Sequence, residues 1–477
     1  MTPPFLASGV FFKEETMSGK NSGTTSGRSG GKIISFTKSD QKSSDPKKDI
    51  LGELLDESGE EDTGDSESSF SNLFGNPFVI EEEEDEYEIH HHTSSQPEHI
   101  LVRLSRQPLF WVVAVLLMLI ALAAGWNYQM SRKAATQIRE NWVVEMKENG
   151  TSRFLPFGDN VVKFDRDGAS YYNAAGEMVW SQGFEMMNPY ADQNGDFLVL
   201  ADQKGNHFYV FNREGCTGSG ETTMPISRAA ISGKGMVALI LEDTTANYVQ
   251  FFNRSGGRLD IEIKTVLSGD GYPLDVALSE DGTILAASYV YLSAGTLLNK
   301  VVFYNFSESG KNMVQRIVGG FEQYTGSIVA DVVFLSQKRA VAFADDRVSF
   351  YSLKNEVSPE LTQERFYDKE IKKVFYGEGL VGIVTEAATG MGNSQVDVYT
   401  ASGSLKMSLE VDLTFTDAAF SGDMILFTNE HECRIFDAEG SLKYSGELSG
   451  SITRLVSVGG NGFIQIGGQT MRRLTIR

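Results

Sequence analysis

Cysteine is nearly absent: two residues, Cys216 and Cys433, in 477. That is no disulfide framework and no zinc site, and the plain reading is two small buried residues. Proline is scarce at 11, and histidine at 6, so a chemistry built on several imidazoles has little material. Positive charge is also short. The chain carries 42 Lys/Arg against 64 Asp/Glu, a formal charge of −22. Nucleic acid is therefore excluded as a partner, because phosphate binding needs clustered Lys and Arg. What the chain has in plenty is Gly (48) and Phe (30), a composition that suits short strands joined by tight turns.

The negative charge is uneven. Residues 1–107 hold 10 Lys/Arg and 21 Asp/Glu, so the tail is about three times as acidic per residue as the rest. Lys13-Glu14-Glu15 can be encoded by a purine run resembling a bacterial ribosome-binding site, which makes Met17 the expected start and 1–16 a mis-assigned leader. Residues 1–98 read as a disordered acidic tail, since too little apolar surface is present to offset the entropy of ordering. Three apolar islands interrupt it. Ile33-Ile34-Ser35-Phe36 is the first. Leu51, Leu54 and Leu55 would share one face of a short helix, and Phe70, Phe74 and Phe78 precede a Glu-rich run. These six residues are the expected docking points for a cytoplasmic partner, with ordinary linker sequence as the alternative. His90-His91-His92 lacks spaced ligand partners and is no metal site.

Leu109 to Gly125 is uncharged over its whole length. Trp111 stands at one end and Trp126 and Tyr128 at the other, as in an aromatic belt. A single membrane-spanning helix is expected over 108–128. Basic residues on both flanks leave orientation weakly marked. The expected topology puts the tail in the cytoplasm and the rest outside, because an uncleaved apolar segment acts as a signal-anchor. Residues 129–141, free of Gly and Pro, read as a helical stalk.

The remainder repeats. An aromatic or large apolar residue followed by a turn recurs at Tyr172-Asn173, Phe211-Asn212, Phe252-Asn253, Tyr304-Asn305, Tyr351-Ser352, Tyr399-Thr400, Phe436-Asp437 and Leu474-Thr475. The mean interval is about 43 residues, the length of a four-stranded propeller blade. Gly176, Gly215, Gly256, Gly403 and Gly440 follow at the spacing of a hairpin turn that needs positive φ. The seventh unit reads as strands 424–428, 432–437, 441–447 and 452–458. The eighth then stops after strands 462–467 and 471–476. Its missing strands are sought at 142–147 and at Gly150 to Leu155, which resembles Gly450 to Leu455. The expected fold is all-β: an eight-bladed β-propeller over 142–477, closed by N- and C-terminal strands, with seven blades as the alternative.

The phrase Tyr172-Asn173-Ala174-Ala175-Gly176-Glu177-Met178-Val179-Trp180-Ser181 resembles repeats of the pyrroloquinoline-quinone-like and WD40-like propellers. The layout over residues 100–477 resembles a family of single-pass membrane proteins of clostridial-type bacteria carrying a domain of unknown function. The resemblance carries no catalytic residue across: the repeated Trp of quinoproteins and the WD dipeptide are both missing.

No catalytic, cofactor-binding or metal-binding residue emerges. Asp165-Arg166-Asp167-Gly168 lacks the remaining ligands of a calcium loop and reads as a hairpin turn. Asp192, Glu242-Asp243 and Asp345-Asp346 read as solvated acids at strand ends or turns. Gly459-Gly460-Asn461-Gly462 lacks the Lys of a phosphate loop and reads as a connection between blades. Two long excursions, Tyr289 to Asn299 and Glu386 to Gln395, are expected to project from the ring. The expected function is a non-catalytic interaction or scaffold module at the cell envelope with a protein partner. The alternatives are a sensor for a small molecule or glycan, which a polar channel with convergent acids would favour, and a polysaccharide-acting or quinone-dependent enzyme.

Overall fold

The computed structural model describes residues 112–122, 135, 137–146, 152–158, 160–266, 269–377, 379–387, 393–467 and 469–477. Residues 112–122 are helical and their side chains are exposed. Among the described residues no helix is long and apolar enough to cross a membrane. The six tail docking residues and the His triplet lie outside the described residues.

Residues 138–476 form eight four-stranded antiparallel sheets. Blade 1 spans residues 153–183, blade 2 spans 189–221, blade 3 spans 226–265 and blade 4 spans 272–325. Blade 5 spans 329–366, blade 6 spans 373–411 and blade 7 spans 417–447. Blade 8 takes three strands from 454–476 and its outermost strand, Ile138–Glu145, from the other end of the domain. All eight aromatic-turn phrases fall at the end, or within two residues of the end, of the third strand of a blade.

Burial follows position in the blade. The second strands are covered on both faces and read as continuous apolar runs, such as Val237–Glu242 and Met424–Thr428. The fourth strands lie at the rim and alternate, as Met178–Gly183 does. Eight apolar clusters fill the eight blade-to-blade interfaces. Phe375, Phe420 and Phe427 join blades 6 and 7. Val161, Ile464 and Met471, with Trp142 against them, join blades 1 and 8. The ring is therefore closed, and the eight-bladed expectation stands.

The third-to-fourth turns explain the periodic glycines. Gly176 has φ +82°, and a Cβ there would lie 2.8 Å from Val144 and 3.0 Å from the Trp142 ring. Gly256 has φ +84°, and its Cβ would lie 1.9 Å from the Ser219 carbonyl oxygen. At Gly176, Gly256, Gly403 and Gly440 the turn thus docks on the rim strand of the preceding blade, where both handedness and space demand glycine, whereas Gly215 has nothing within 4 Å of its Cβ position. Asn173 completes its turn by accepting hydrogen bonds from the Ala175 and Glu177 amides.

Two expectations are corrected. The stalk is not helical throughout: Ile138 to Asn141 belong to the strand Ile138–Glu145, paired with Thr470–Ile476. Pairing across a sheet edge outweighs the helix propensity of this stretch. Strand 454–457 is the innermost of blade 8 rather than the last of blade 7, so closure joins three C-terminal strands to one N-terminal strand. The likeness between Gly150 to Leu155 and Gly450 to Leu455 has a structural basis. Arg153–Phe157 and Arg454–Ser457 are the innermost strands of blades 1 and 8.

Strand direction assigns the two faces of the ring. Call the face where the innermost strands begin the upper face. Alternating directions then put the second-to-third turns and the blade-to-blade connections on it, and the other turns on the lower face. Ile138–Glu145 is antiparallel to Thr470–Ile476, so the chain enters the ring at the lower face. Gly459 to Asn461 connect the first and second strands of blade 8, a lower-face turn within a blade rather than a link between blades.

Candidate functional site

Each of the eight innermost strands carries one Asp, Lys or Arg: Arg153, Asp192, Arg228, Asp275, Asp331, Lys373, Asp417 and Arg454 in ring order. Four anions and four cations give the channel wall no formal charge. The acidity of the chain lies elsewhere.

The two halves of the wall are built differently. In blades 6 to 8 the one carboxylate, Asp417, is paired with both cations. Arg454 Nη1 donates to Asp417 Oδ2 at 2.7 Å, and Lys373 Nζ lies 3.5 Å from Asp417 Oδ1. Arg153 Nη1 donates to the Pro189 carbonyl at 3.0 Å. Blades 2 to 5 gather three carboxyls against one cation. Arg228 donates to the Ser227 carbonyl and lies 5.9 Å from the Tyr190 ring centre. Among the described residues it forms no ion pair with the three acids.

Backbone geometry aims these side chains. The pairing of first and second strands shifts register between Ile226 and Arg228, between Pro273 and Asp275, and between Val329 and Asp331. A bulge thus precedes the charged residue on three successive blades, and bulges re-aim side chains. Bonds between blades fix the acids. The Ile231 amide donates to Asp192 Oδ2 at 2.8 Å, and the Val332 amide donates to Asp275 Oδ2 at 3.0 Å.

Asp331 is different. It is 8% exposed, and its Oδ2 meets no N–H or hydroxyl donor. Its carboxyl instead contacts that of Asp275 through a hydrogen bond that requires a proton on one of them. Burial, then the Asp275 charge, holds Asp331 well above the usual carboxylate range. Burial pushes Asp275 up to about 6, opposed by the Val332 amide and by the bond from Asp331. The two carboxyls therefore hold one proton between them. Burial pushes Asp192 up to about 7, against the Ile231 amide and helped by the Asp275 charge. The three acids open on a cavity of about 600 Å³, counting its solvent-open space, whose other walls include Tyr190, Ile231, Val276, Phe334 and Tyr376.

The chemistry available is narrow. The Asp275 and Asp331 carboxyls are in direct contact, closer than the roughly 5–9.5 Å that glycoside hydrolysis uses. Among the described residues no group of three His, Cys, Asp or Glu is placed to hold a metal ion. His207 opens the third strand of blade 2, and His431 lies in a turn of blade 7.

Of the acids singled out in the sequence, Asp192 is corrected: it sits inside the innermost strand Pro189–Asn194 and lines the cavity. The turn readings of Asp165 to Gly168 and of Asp345-Asp346 hold, and the Asp167 amide donates to Asp165 Oδ1. Cys433 is buried as expected, whereas Cys216 is exposed on the rim strand of blade 2; both are free. Sequence reasoning missed Asp275, Asp331 and Arg228. A signal existed: a charged residue before two apolar ones recurs in Arg228-Ala229-Ala230, Asp275-Val276-Ala277, Asp331-Val332-Val333 and Asp417-Ala418-Ala419.

The two long excursions are both second-to-third connections, and residues 388–392 of the second lie outside the described residues. The first is a hairpin, Ile284–Ser293 paired with Thr296–Asn305, turning at Ala294-Gly295. Leu292 and Leu297 pair near its tip and are 55% and 51% exposed. Exposed Ile328 and Phe366 lie in the same face of blades 4 and 5.

Solved propellers resemble the chain weakly. BamB from Moraxella catarrhalis is 12% identical, with 72% of this chain and 98% of that one covered and a TM-score of 0.46. Sqt1 from Chaetomium thermophilum, bound to the N-terminus of ribosomal protein L10, is 13% identical, with 66% and 93% covered and a TM-score of 0.43. Hsv2 from Kluyveromyces lactis is 13% identical, with 47% and 74% covered and a TM-score of 0.33. No curated protein sequence matches the chain. The sequence of residues 131–476, which includes the whole propeller, matches the family of unknown function DUF5711, and the chain belongs to that family.

Proposed function

We propose that this chain is a membrane-anchored β-propeller that serves as a non-catalytic interaction module at the bacterial cell envelope. The observation that carries the reading is the upper face of blades 4 and 5. There a projecting hairpin holds Leu292 and Leu297 in water, with Ile328 and Phe366 beside it in the fold. Grouped apolar side chains on one face of a rigid ring cost solvation unless a partner covers them. The first strand, Ile138–Glu145, enters the ring by the opposite face, which keeps its start away from these residues. The uncharged run Leu109 to Gly125 supports the anchor, and the tail residues Leu51, Leu54, Leu55, Phe70, Phe74 and Phe78 supply a second contact on the cytoplasmic side.

The test is site-specific photo-crosslinking in intact cells. A crosslinker at position 297 should yield a discrete protein adduct that Leu292→Glu removes. One at Val314, exposed in a lower-face loop, should yield none. Absence of an adduct at 297 from chain recovered in the membrane fraction would sink the module reading. Protease cleavage of the propeller on intact cells tests its external location, and protection until lysis would invert the topology.

A further inference from the structure

We propose that the channel cavity between blades 2 and 5 binds a small organic cation, an ammonium or guanidinium group seated against Asp331, Asp275 and Asp192. This goes beyond the interaction surface and does not rest on it, because the residues and the face concerned are different.

Three features of the site point to such a ligand. The first is the Asp331 carboxyl, nine-tenths buried and lining the cavity, with an Oδ2 that no N–H or hydroxyl of the protein satisfies. A buried acceptor left this way is costly unless a donor arrives. The second is preorganisation. Asp192 and Asp275 are each held on one oxygen by an amide of the next blade. Their positions are set before any ligand binds, which lowers the entropy cost of binding. The third is the imbalance of this half of the wall. Blades 6 to 8 close their charges with Arg454 and Lys373 on Asp417, whereas blades 2 to 5 place three acids near Arg228 without an ion pair. In the free protein a proton shared by Asp275 and Asp331 stands where a cation would.

The walls select the class. Tyr190, Ile231, Val276, Phe334 and Tyr376 offer apolar and aromatic surface to a carbon skeleton, and the Tyr190 ring already faces a guanidinium. A metal ion fits less well, since no three of the carboxyls converge as ligands among the described residues.

Binding then displaces protons. The titratable groups lining the cavity are Tyr190 and Asp192 on blade 2, Asp275 on blade 4, Asp331 on blade 5 and Tyr376 on blade 6, with the Arg228 charge on blade 3 acting on them. Affinity rises from pH 5 to pH 8 as the acids ionise around the cation.

The experiment is calorimetric titration of the full-length chain in detergent with cadaverine and with agmatine, in two buffers of different ionisation enthalpy, with matched sodium chloride as control. Saturable binding, stronger at pH 8 than at pH 5 and accompanied by proton release, is expected. Asp331→Asn should weaken it about tenfold or more and reduce the proton release. Asp275→Asn serves as the second variant should the first fail to fold. Absence of binding at millimolar probe overturns the proposal, as does undiminished affinity in both folded variants. So does a stronger response to calcium, which would make the site a metal site.

Discussion

Arg472 Nη1 donates to Glu140 Oε2 at 2.8 Å, joining residues 332 apart in sequence across the strand pair that closes the ring. Both side chains are partly exposed, so the ion pair itself is a minor contribution, on the order of 0.5 kcal/mol. The strands beneath it matter far more. Glu140→Ala should therefore shift the urea midpoint only slightly. Deleting residues 470–477 strips the third strand from blade 8 and leaves Ile138–Glu145 without its partner. That truncation should not fold. A truncated chain with a cooperative transition near that of the parent would refute closure by this strand pair.

Gly176 makes the same joint sensitive to a single methyl. The residue sits at φ +82° with Val144 and Trp142 at the position a Cβ would take. Gly176→Ala should cost about 1–3 kcal/mol, from left-handed strain together with displacement of the closing strand. Gly295, at φ +83° in the tip of the blade 4 hairpin, has nothing within 4 Å of that position. Gly295→Ala should cost only the strain, about 1 kcal/mol. Equal losses at the two sites, measured by urea denaturation, would show that steric contact at the joint plays no part.

These two glycines mark what the sequence could and could not disclose. The third strands were legible because an aromatic residue, an Asn and a Gly recur together. Each has a local role, the aromatic in packing, the Asn in turn closure and the Gly in supplying positive φ. Blade number followed from counting them. Phase did not follow, since the rim strand Leu442–Glu447 and the channel strand Arg454–Ser457 are both short, and only pairing tells them apart. The helical reading of Ile138 to Asn141 failed for a related reason, as propensity is local whereas their partner, Thr470–Ile476, is some 330 residues away. The channel acids were the hardest to see. Asp275 follows Tyr272-Pro273-Leu274, where a bulge breaks the alternation that would show which way a side chain points.

Tight packing between blades gives a test of coupling. A Cβ on Gly382 would lie 2.2 Å from the Phe375 ring, which is fully buried and packs 4.7 Å, centre to centre, from the Phe420 ring. Gly382→Ala should cost about 1–3 kcal/mol by overpacking. In the background of Phe375→Leu, whose smaller side chain leaves room, the same change should cost at least about 1 kcal/mol less. Additive losses in the double mutant would mean that the ring does not limit the glycine.

The channel acids set the pH dependence of stability, and its sign is opposite to that of a salt-bridged carboxylate. Asp192 is held at about 7 and Asp275 at about 6, chiefly by burial, against an ordinary carboxyl value near 3.8. Between those limits the folded chain binds more protons than the unfolded one. Their contribution is therefore full below about pH 4 and is lost as pH rises through 6 to 7. Asp192→Asn keeps an acceptor for the Ile231 amide and removes the charge that the channel resists. It should leave stability near pH 4.5 almost unchanged and raise it at pH 8.5 relative to the parent by on the order of 1–3 kcal/mol. Urea denaturation at the two pH values reads the difference directly. A gain of equal size at both would assign the effect to packing, and a loss confined to pH 8.5 would mean that the Asp192 carboxylate is stabilised by a cation already in the channel.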